Sequence, residues 1–368
     1  MDRSTWSFVS GVVVALALSP ATSIAAPAGK AFCDARYEQI DLGSFDPFNK
    51  SAASDLNNRG HVTGNSSGST FLWSCDKGLE DVGQFIGRPD NVGVLINDRD
   101  QIIVMAAPQY PAYSPDTLFW ERGTTPVLIS EQSPFYPVSF TNTGFVTYYD
   151  LLWSRATGIM PIDIGVPVVD AHLSNFGRLG GAYIDESTAE YYLFTWTQRD
   201  GVKTLGPAPA DSPFPADMND RGDLLVGDGN TAYIMDRNGQ TEVLPRRPDA
   251  AYLYASRLNL SREVIGSEVA TEVQPHGDRR RSFVWDRKKG YRNLNDLFDL
   301  PPGNSFEPVA INDWGWIVGN RRDFNATLLV PVPAHIRRFE NLQRLQGQQL
   351  CRALDQARLH RLLCSAVH

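Results

Sequence analysis

Between about residues 37 and 333 the chain alternates short apolar runs with turns rich in Asn, Asp and Gly, a pattern of tightly joined strands rather than helices. The clearest stretch reads Ala53-Ser54-Asp55-Leu56-Asn57-Asn58-Arg59-Gly60-His61-Val62-Thr63-Gly64, then Thr70-Phe71-Leu72-Trp73, then Gly78-Leu79-Glu80-Asp81-Val82-Gly83. Asn and Asp accept backbone hydrogen bonds in a tight turn and Gly takes the left-handed position, so the Asn-turn joins two strands. A third strand ends on the large ring, and a second hairpin at Lys77-Gly78 leads to a fourth.

The same unit recurs about every 40 residues. Its turns are centred on Asn57, Asn97, Asn219 and Asn312 in the good copies, and on Asn142, Asn175 and Asn259 in the degenerate ones. The third strand is anchored by Trp73, Trp120, Trp153, Trp196 and Trp285, while the units near Tyr233 and Leu329 use other residues, and Arg262 replaces the turn Gly. Four strands per unit, seven times over, predict an all-β, seven-bladed β-propeller over residues 37–333. The last unit supplies only three strands, Phe306 to Ile311, Trp316 to Asn320 and Ala326 to Val332. A stray fourth-strand pattern, Tyr37 to Gly43, stands at the beginning, so the N-terminal strand is expected to complete the last blade and close the ring.

The segments Ile40-Asp41-Leu42-Gly43, Asp55-Leu56-Asn57-Asn58-Arg59-Gly60 and Thr70-Phe71-Leu72-Trp73 resemble the HAF-type extracellular repeat family of bacteria. The resemblance covers nearly all of residues 37–333. It implies export and a propeller-like all-β architecture, and it brings no activity or catalytic residues to transfer.

The ends have a different character. Residues 1–25 read as a signal peptide: the apolar run Trp6 to Leu18, then small residues, with Ser23 and Ala25 placed for cleavage after Ala25. The run is too short to span a bilayer, so an exported, periplasmic or extracellular protein without a transmembrane segment is expected. Residues 26–36 form a short extension. The even set Cys33, Cys75, Cys351 and Cys364 suits an oxidising compartment; Cys33 is expected to pair with Cys75, because closing strand and first blade are neighbours. After Pro333, leucines at helical spacing predict a helical tail over 334–368, in which six arginines face two acids. That tail suits either docking on the acidic body or an amphipathic surface for a membrane or partner.

The net charge of −8, from 34 basic and 42 acidic residues, argues against nucleic acid as a partner. No cofactor or metal motif is present. Asp217 to Asp223 has the alternating oxygens of a calcium loop but no closing Glu, and its residue types serve turns equally well. Gly64-Asn65-Ser66-Ser67-Gly68 matches a nucleophile elbow in letters only, since a strand follows it. His61 and His172 have no Ser and acid partners at recognisable spacing, and Asp185-Glu186 reads as solvated loop. No catalytic residue is therefore assigned.

Loops that join one blade's outer strand to the next blade's inner strand gather on one face, and here they carry Pro and rings, as does the loop Pro108 to Tyr113, between a second and third strand and expected to reach the same face. Tyr110, Tyr113, Phe135, Tyr136, Phe214, Tyr252 and Phe306 are the expected ligand-binding positions, because rings held by Pro can stack on sugars or grip a peptide. The function expected is a binding module for a glycan, a peptide or an envelope protein. Two alternatives stand beside it: a hydrolase or lyase acting on glycans, which needs acids converging near the axis, and a purely structural scaffold.

Overall fold

The computed structural model describes residues 36–107, 114–131, 136–208, 213–273, 279–300, 304–322 and 325–332. Its strands form seven separate four-stranded antiparallel sheets, six of them built from four strands consecutive in sequence. The inner strands are Ser51–Leu56, Asn91–Ile96, Ser139–Phe140, Val168–Leu173, Phe214–Met218, Ala250–Leu258 and Phe306–Ile311, for blades 1 to 7. Each packs beside the inner strand of the next blade, and that of blade 7 returns to blade 1, so the array is a closed ring. It is a seven-bladed β-propeller. The only helical elements among the described residues are two 3-10 turns, Gly83–Phe85 and Leu294–Asp296.

The seventh sheet takes its outer strand from the other end of the chain. Arg36–Asp41 pairs antiparallel with Thr327–Val332 over six residues, from Arg36 opposite Val332 to Asp41 opposite Thr327. The seam between blades 7 and 1 is stitched further. Asn320 accepts from Ala53 N–H (2.8 Å) and donates back to Ala53 O (3.0 Å), while Ala326 N–H reaches Ser51 O (3.0 Å). Closure leaves no blade with a bare lateral face, which is why the ring needs no capping element.

The blades pack through apolar residues at equivalent registers. The first residue of every second strand (Val62, Ile102, Val146, Leu179, Leu224, Val264, Ile317) is buried and stands opposite Trp73, Trp120, Trp153, Trp196, Met235, Trp285 or Leu329 on the third. Met235 and Leu329 thus fill the wedge where the repeat lacks its ring. Trp196 is only partly buried, against the blade 4 cluster. In blades 1, 2, 5, 6 and 7 the inner strand carries a bulge at the same place, two to four residues before its turn. A bulge bends the strand and re-aims the following side chain.

The signal peptide, the extension up to Ala35, Cys33, Cys351, Cys364 and the tail after Pro333 lie outside the described residues, as do Tyr110, Tyr113 and Phe135. Among the described residues no helix is long and apolar enough to cross a membrane.

Candidate functional site

Each inner strand runs from a loop face, where the inter-blade loops and the hairpins between second and third strands lie, to a turn face carrying the Asn-turns. The turns follow one pattern. The first residue receives a backbone bond from three positions on, at Asn57, Asn97, Thr141, Ser174, Asn219, Asn259 and Asn312. This corrects the alignment expected for blades 3 and 4: Asn142 and Asn175 are the second residues of their turns, and Thr141 and Ser174 hold the first place. The physical reason is that a hydroxyl accepts the turn's backbone N–H as an amide oxygen does: Thr141 Oγ1 takes Phe145 N–H (3.1 Å) and Ser174 Oγ takes Arg178 N–H (3.2 Å).

Two tiers of hydrogen bonds then run around the axis from blade to blade. In the first, Asn57, Asn97, Asn219, Asn259 and Asn312 each donate Nδ2 to the carbonyl of the first turn residue of the next blade, at 2.8–3.2 Å. In the second, the side-chain oxygen of each second turn residue accepts the N–H of its counterpart one blade back. Asn58 donates to Asp98, Asp98 to Asn142, Asn142 to Asn175 and Asn175 to Asp220, at 2.6–2.7 Å; Leu260 donates to Asp313 and Asp313 to Asn58, both at 2.9 Å. The tier breaks once, between Asp220 and Leu260, because leucine has no acceptor. Below these, Asp55 accepts Ile96 N–H (2.8 Å), Ser139 accepts Leu173 N–H (3.0 Å) and Asp217 accepts Leu258 N–H (2.8 Å).

These residues enclose an axial cavity of about 190 Å³ lined by Asp55, Asp98, Asp217, Asp220, Asp313 and Arg257, among others. Burial pushes the Asp55 carboxyl up to about 6; Asp217 adds to that, while Arg257 and the Ile96 N–H oppose it. Burial likewise pushes Asp313 up to about 6, opposed by the Leu260 N–H and reinforced by Asp220 and Asp98. The acids required near the axis by an enzyme reading are therefore present, and every one of these five carboxylates already accepts a backbone N–H. Among the described residues no group of three or more His, Cys, Asp or Glu is arranged to hold a metal ion.

The opposite, loop face carries the rings. Nine aromatic side chains among the described residues are exposed. Eight, Phe45, Phe48, Phe85, Tyr136, Tyr149, Phe214, Tyr252 and Tyr254, lie in inter-blade loops, in a hairpin between second and third strands, or on the loop-side half of an inner strand; Phe176 alone of the nine lies on the turn face. Tyr252 and Tyr254 stack at 6.3 Å with 25° between ring planes. Of the expected ligand positions, Tyr136, Phe214 and Tyr252 are more than half exposed. Phe306 is the exception: it is 0 % exposed, packs edge-on against Phe298 at 5.5 Å and belongs to the core between blades 6 and 7. It is a core residue because it packs with Leu294 and Phe298 in the core cluster, and Asn295 of the 3-10 turn Leu294–Asp296 accepts its N–H (3.4 Å). Phe45 and Phe48, on either side of Pro47, and Tyr149, which no proline brackets, were not among the expected positions.

The remaining candidates resolve into local structure. Ser67 and Gly68, both at positive φ, form a two-residue hairpin between strands. His61 pairs through Nδ1 with Asp100 (2.8 Å), and buried His172 places Nε2 3.2 Å from Pro215 O. The calcium-like stretch spends its oxygens on neighbours, Asp223 forming a two-pronged pair with Arg262 (2.9 and 2.6 Å). Asp185 accepts from its own turn at Ser187. Cys75 is partly buried against the core of blades 1 and 7.

A closed ring of seven four-stranded sheets around a polar axis defines a seven-bladed β-propeller. No family model matches the chain, and no curated protein matches it in sequence. Solved structures do. A streptogramin B lyase structure is 12% identical with a TM-score of 0.53, covering 83% of this chain and 100% of that one. A catalytically inactive virginiamycin B lyase from Staphylococcus aureus with quinupristin is 9% identical with a TM-score of 0.53, covering 80% and 100%. At such identities the likeness is one of fold.

Proposed function

We propose that the chain is an exported propeller of the HAF-like repeat kind that acts as a binding module, its loop face stacking on a glycan, a peptide or an envelope protein. The observation that carries this is the asymmetry of exposed rings among the described residues, eight on the loop face against one on the turn face. Exposed rings are costly in water unless a partner covers them, and rings on a rigid scaffold lose little entropy on binding. The leader-like residues 1–25 and a disulfide between Cys33 and Cys75 belong to the same reading, and peptide mapping without reductant tests that pairing.

The function is tested on a glycan and peptide array with the mature protein, followed by Tyr136→Ala/Phe214→Ala/Tyr252→Ala. A ligand retained by the triple variant at full affinity rejects the loop face as its site. A second reading, a hydrolase or lyase acting on glycans, is favoured by one observation: Asp55 and Asp313 lie at the axis with carboxyls pushed up to about 6, where a carboxylic acid can still donate a proton. Analysis of released products on the same array separates it from pure binding.

A further inference from the structure

The turn face holds a second concavity, away from the axis and opposite the aromatic loops. It has a volume of about 480 Å³ and lies among the turns of blades 4, 5 and 6. That is within the roughly 300–1,000 Å³ of small-ligand sites. Its floor is fixed. Arg262, held at a left-handed φ of 59°, locks onto Asp223 and reaches Glu242 at 3.7 Å, so this guanidinium is spent on structure.

Three other arginines line the same cleft: Arg178 on the blade 4 turn, Arg221 on the blade 5 turn and Arg237 on the outer hairpin of blade 5. Among the described residues none of these three guanidinium groups forms an ion pair or a side-chain hydrogen bond. In a protein of net charge −8, with carboxylates in excess, three unspent guanidinium groups around one hollow are unexpected unless something anionic fills it. Beside them stands Phe176, the single exposed ring of this face among the described residues, 77 % exposed at the tip of its turn. Asn238 adds an amide, and Asp236 lines the cleft with a carboxylate that already accepts from Asn238 and Gln240 N–H groups.

We propose that this cleft binds a carboxylate-bearing sugar, a uronic-acid unit of a glycan. A guanidinium meets a carboxylate through two parallel hydrogen bonds. An exposed ring offers the flat apolar partner that a pyranose face needs. Asn238 and Asp236 supply the donor and acceptor that hydroxyl groups require. The site is separate from the loop-face reading and does not depend on it.

Calorimetry with tri-galacturonate and with its fully methyl-esterified form, on the mature protein, tests this directly. The free acid is expected to bind in the micromolar to millimolar range and the ester at least tenfold more weakly. Arg221→Ala/Arg237→Ala should weaken the acid at least tenfold, and Phe176→Ala severalfold, both with unchanged melting temperature. Tyr136→Ala/Phe214→Ala/Tyr252→Ala should leave it unchanged. No binding by the unaltered protein, equal binding of acid and ester, or indifference to the arginine pair overturns the proposal. Loss in the loop-face variant instead moves the ligand to the aromatic face, which sinks this site and leaves the binding-module reading intact. Equal affinity for a glutamate-rich peptide overturns the assignment to sugar.

Discussion

Replacing Asp55 by Asn removes a charge while keeping the atom that stitches blade 1 to blade 2. Asp55 accepts Ile96 N–H at 2.8 Å, and an amide oxygen in the same place can accept it too. Burial raises the carboxyl from 3.8 to about 6, so ionising it in the folded ring costs about 3 kcal/mol at most. The folded state therefore holds this proton to higher pH than the unfolded chain does. Between pH 4 and 6 it binds more protons, so stability falls as pH rises through that window and stays reduced above it. Asp55→Asn should raise unfolding stability at pH 8 by about 1–3 kcal/mol and have little effect at pH 4. Asp55→Ala also removes the charge but leaves the buried Ile96 N–H without an acceptor, a penalty of about 1–3 kcal/mol that offsets the gain. Urea unfolding of the three proteins at pH 4.5, 6 and 8 reads both effects. An Asn variant no more stable than the Ala variant at pH 8, or a gain independent of pH, would refute the reasoning.

Three further outcomes follow from the packing. Leu260→Asn restores the missing acceptor for Asp220 N–H and completes the second tier, which should stabilise the ring by about 1 kcal/mol in chemical denaturation. Gly60→Ala places a methyl 2.6 Å from the Trp316 ring at a φ of +82°, whereas Gly87→Ala at +70° meets open space; the first should cost about 2–4 kcal/mol and the second about 1–2 kcal/mol, read as melting temperatures. Phe306→Ala should cost about 3–5 kcal/mol, as a buried ring does, and leave any loop-face ligand's affinity unchanged in the folded fraction.

The repeat was readable because propeller blades reuse the same local chemistry. The Asn-x-x-Gly turns and the Trp that faces the start of the second strand recur at fixed spacing, and the orphan strand at Tyr37 to Gly43 announced how the ring closes. Degenerate blades misled where two residue types do one job. Thr141 and Ser174 satisfy the turn as Asn57 does, so the nearby Asn142 and Asn175 were drawn one place out of register. Phe306 could not be told from Phe214 by sequence, since both follow proline-containing loops and only packing against Phe298 separates them. The axial tiers and the arginine cleft join residues some forty positions apart, such as Arg178, Arg221 and Arg262. The residue after each turn Asn, nearly always Asn or Asp, was the one local sign of the second tier, and Leu260 was its one gap.

Amide hydrogen exchange over residues 36–41 tests most directly whether the N-terminal strand completes the seventh blade. Those amides should be protected as strongly as their partners in 327–332. Exchange at the rate of an unstructured peptide in 36–41, with the other blades protected, would contradict it.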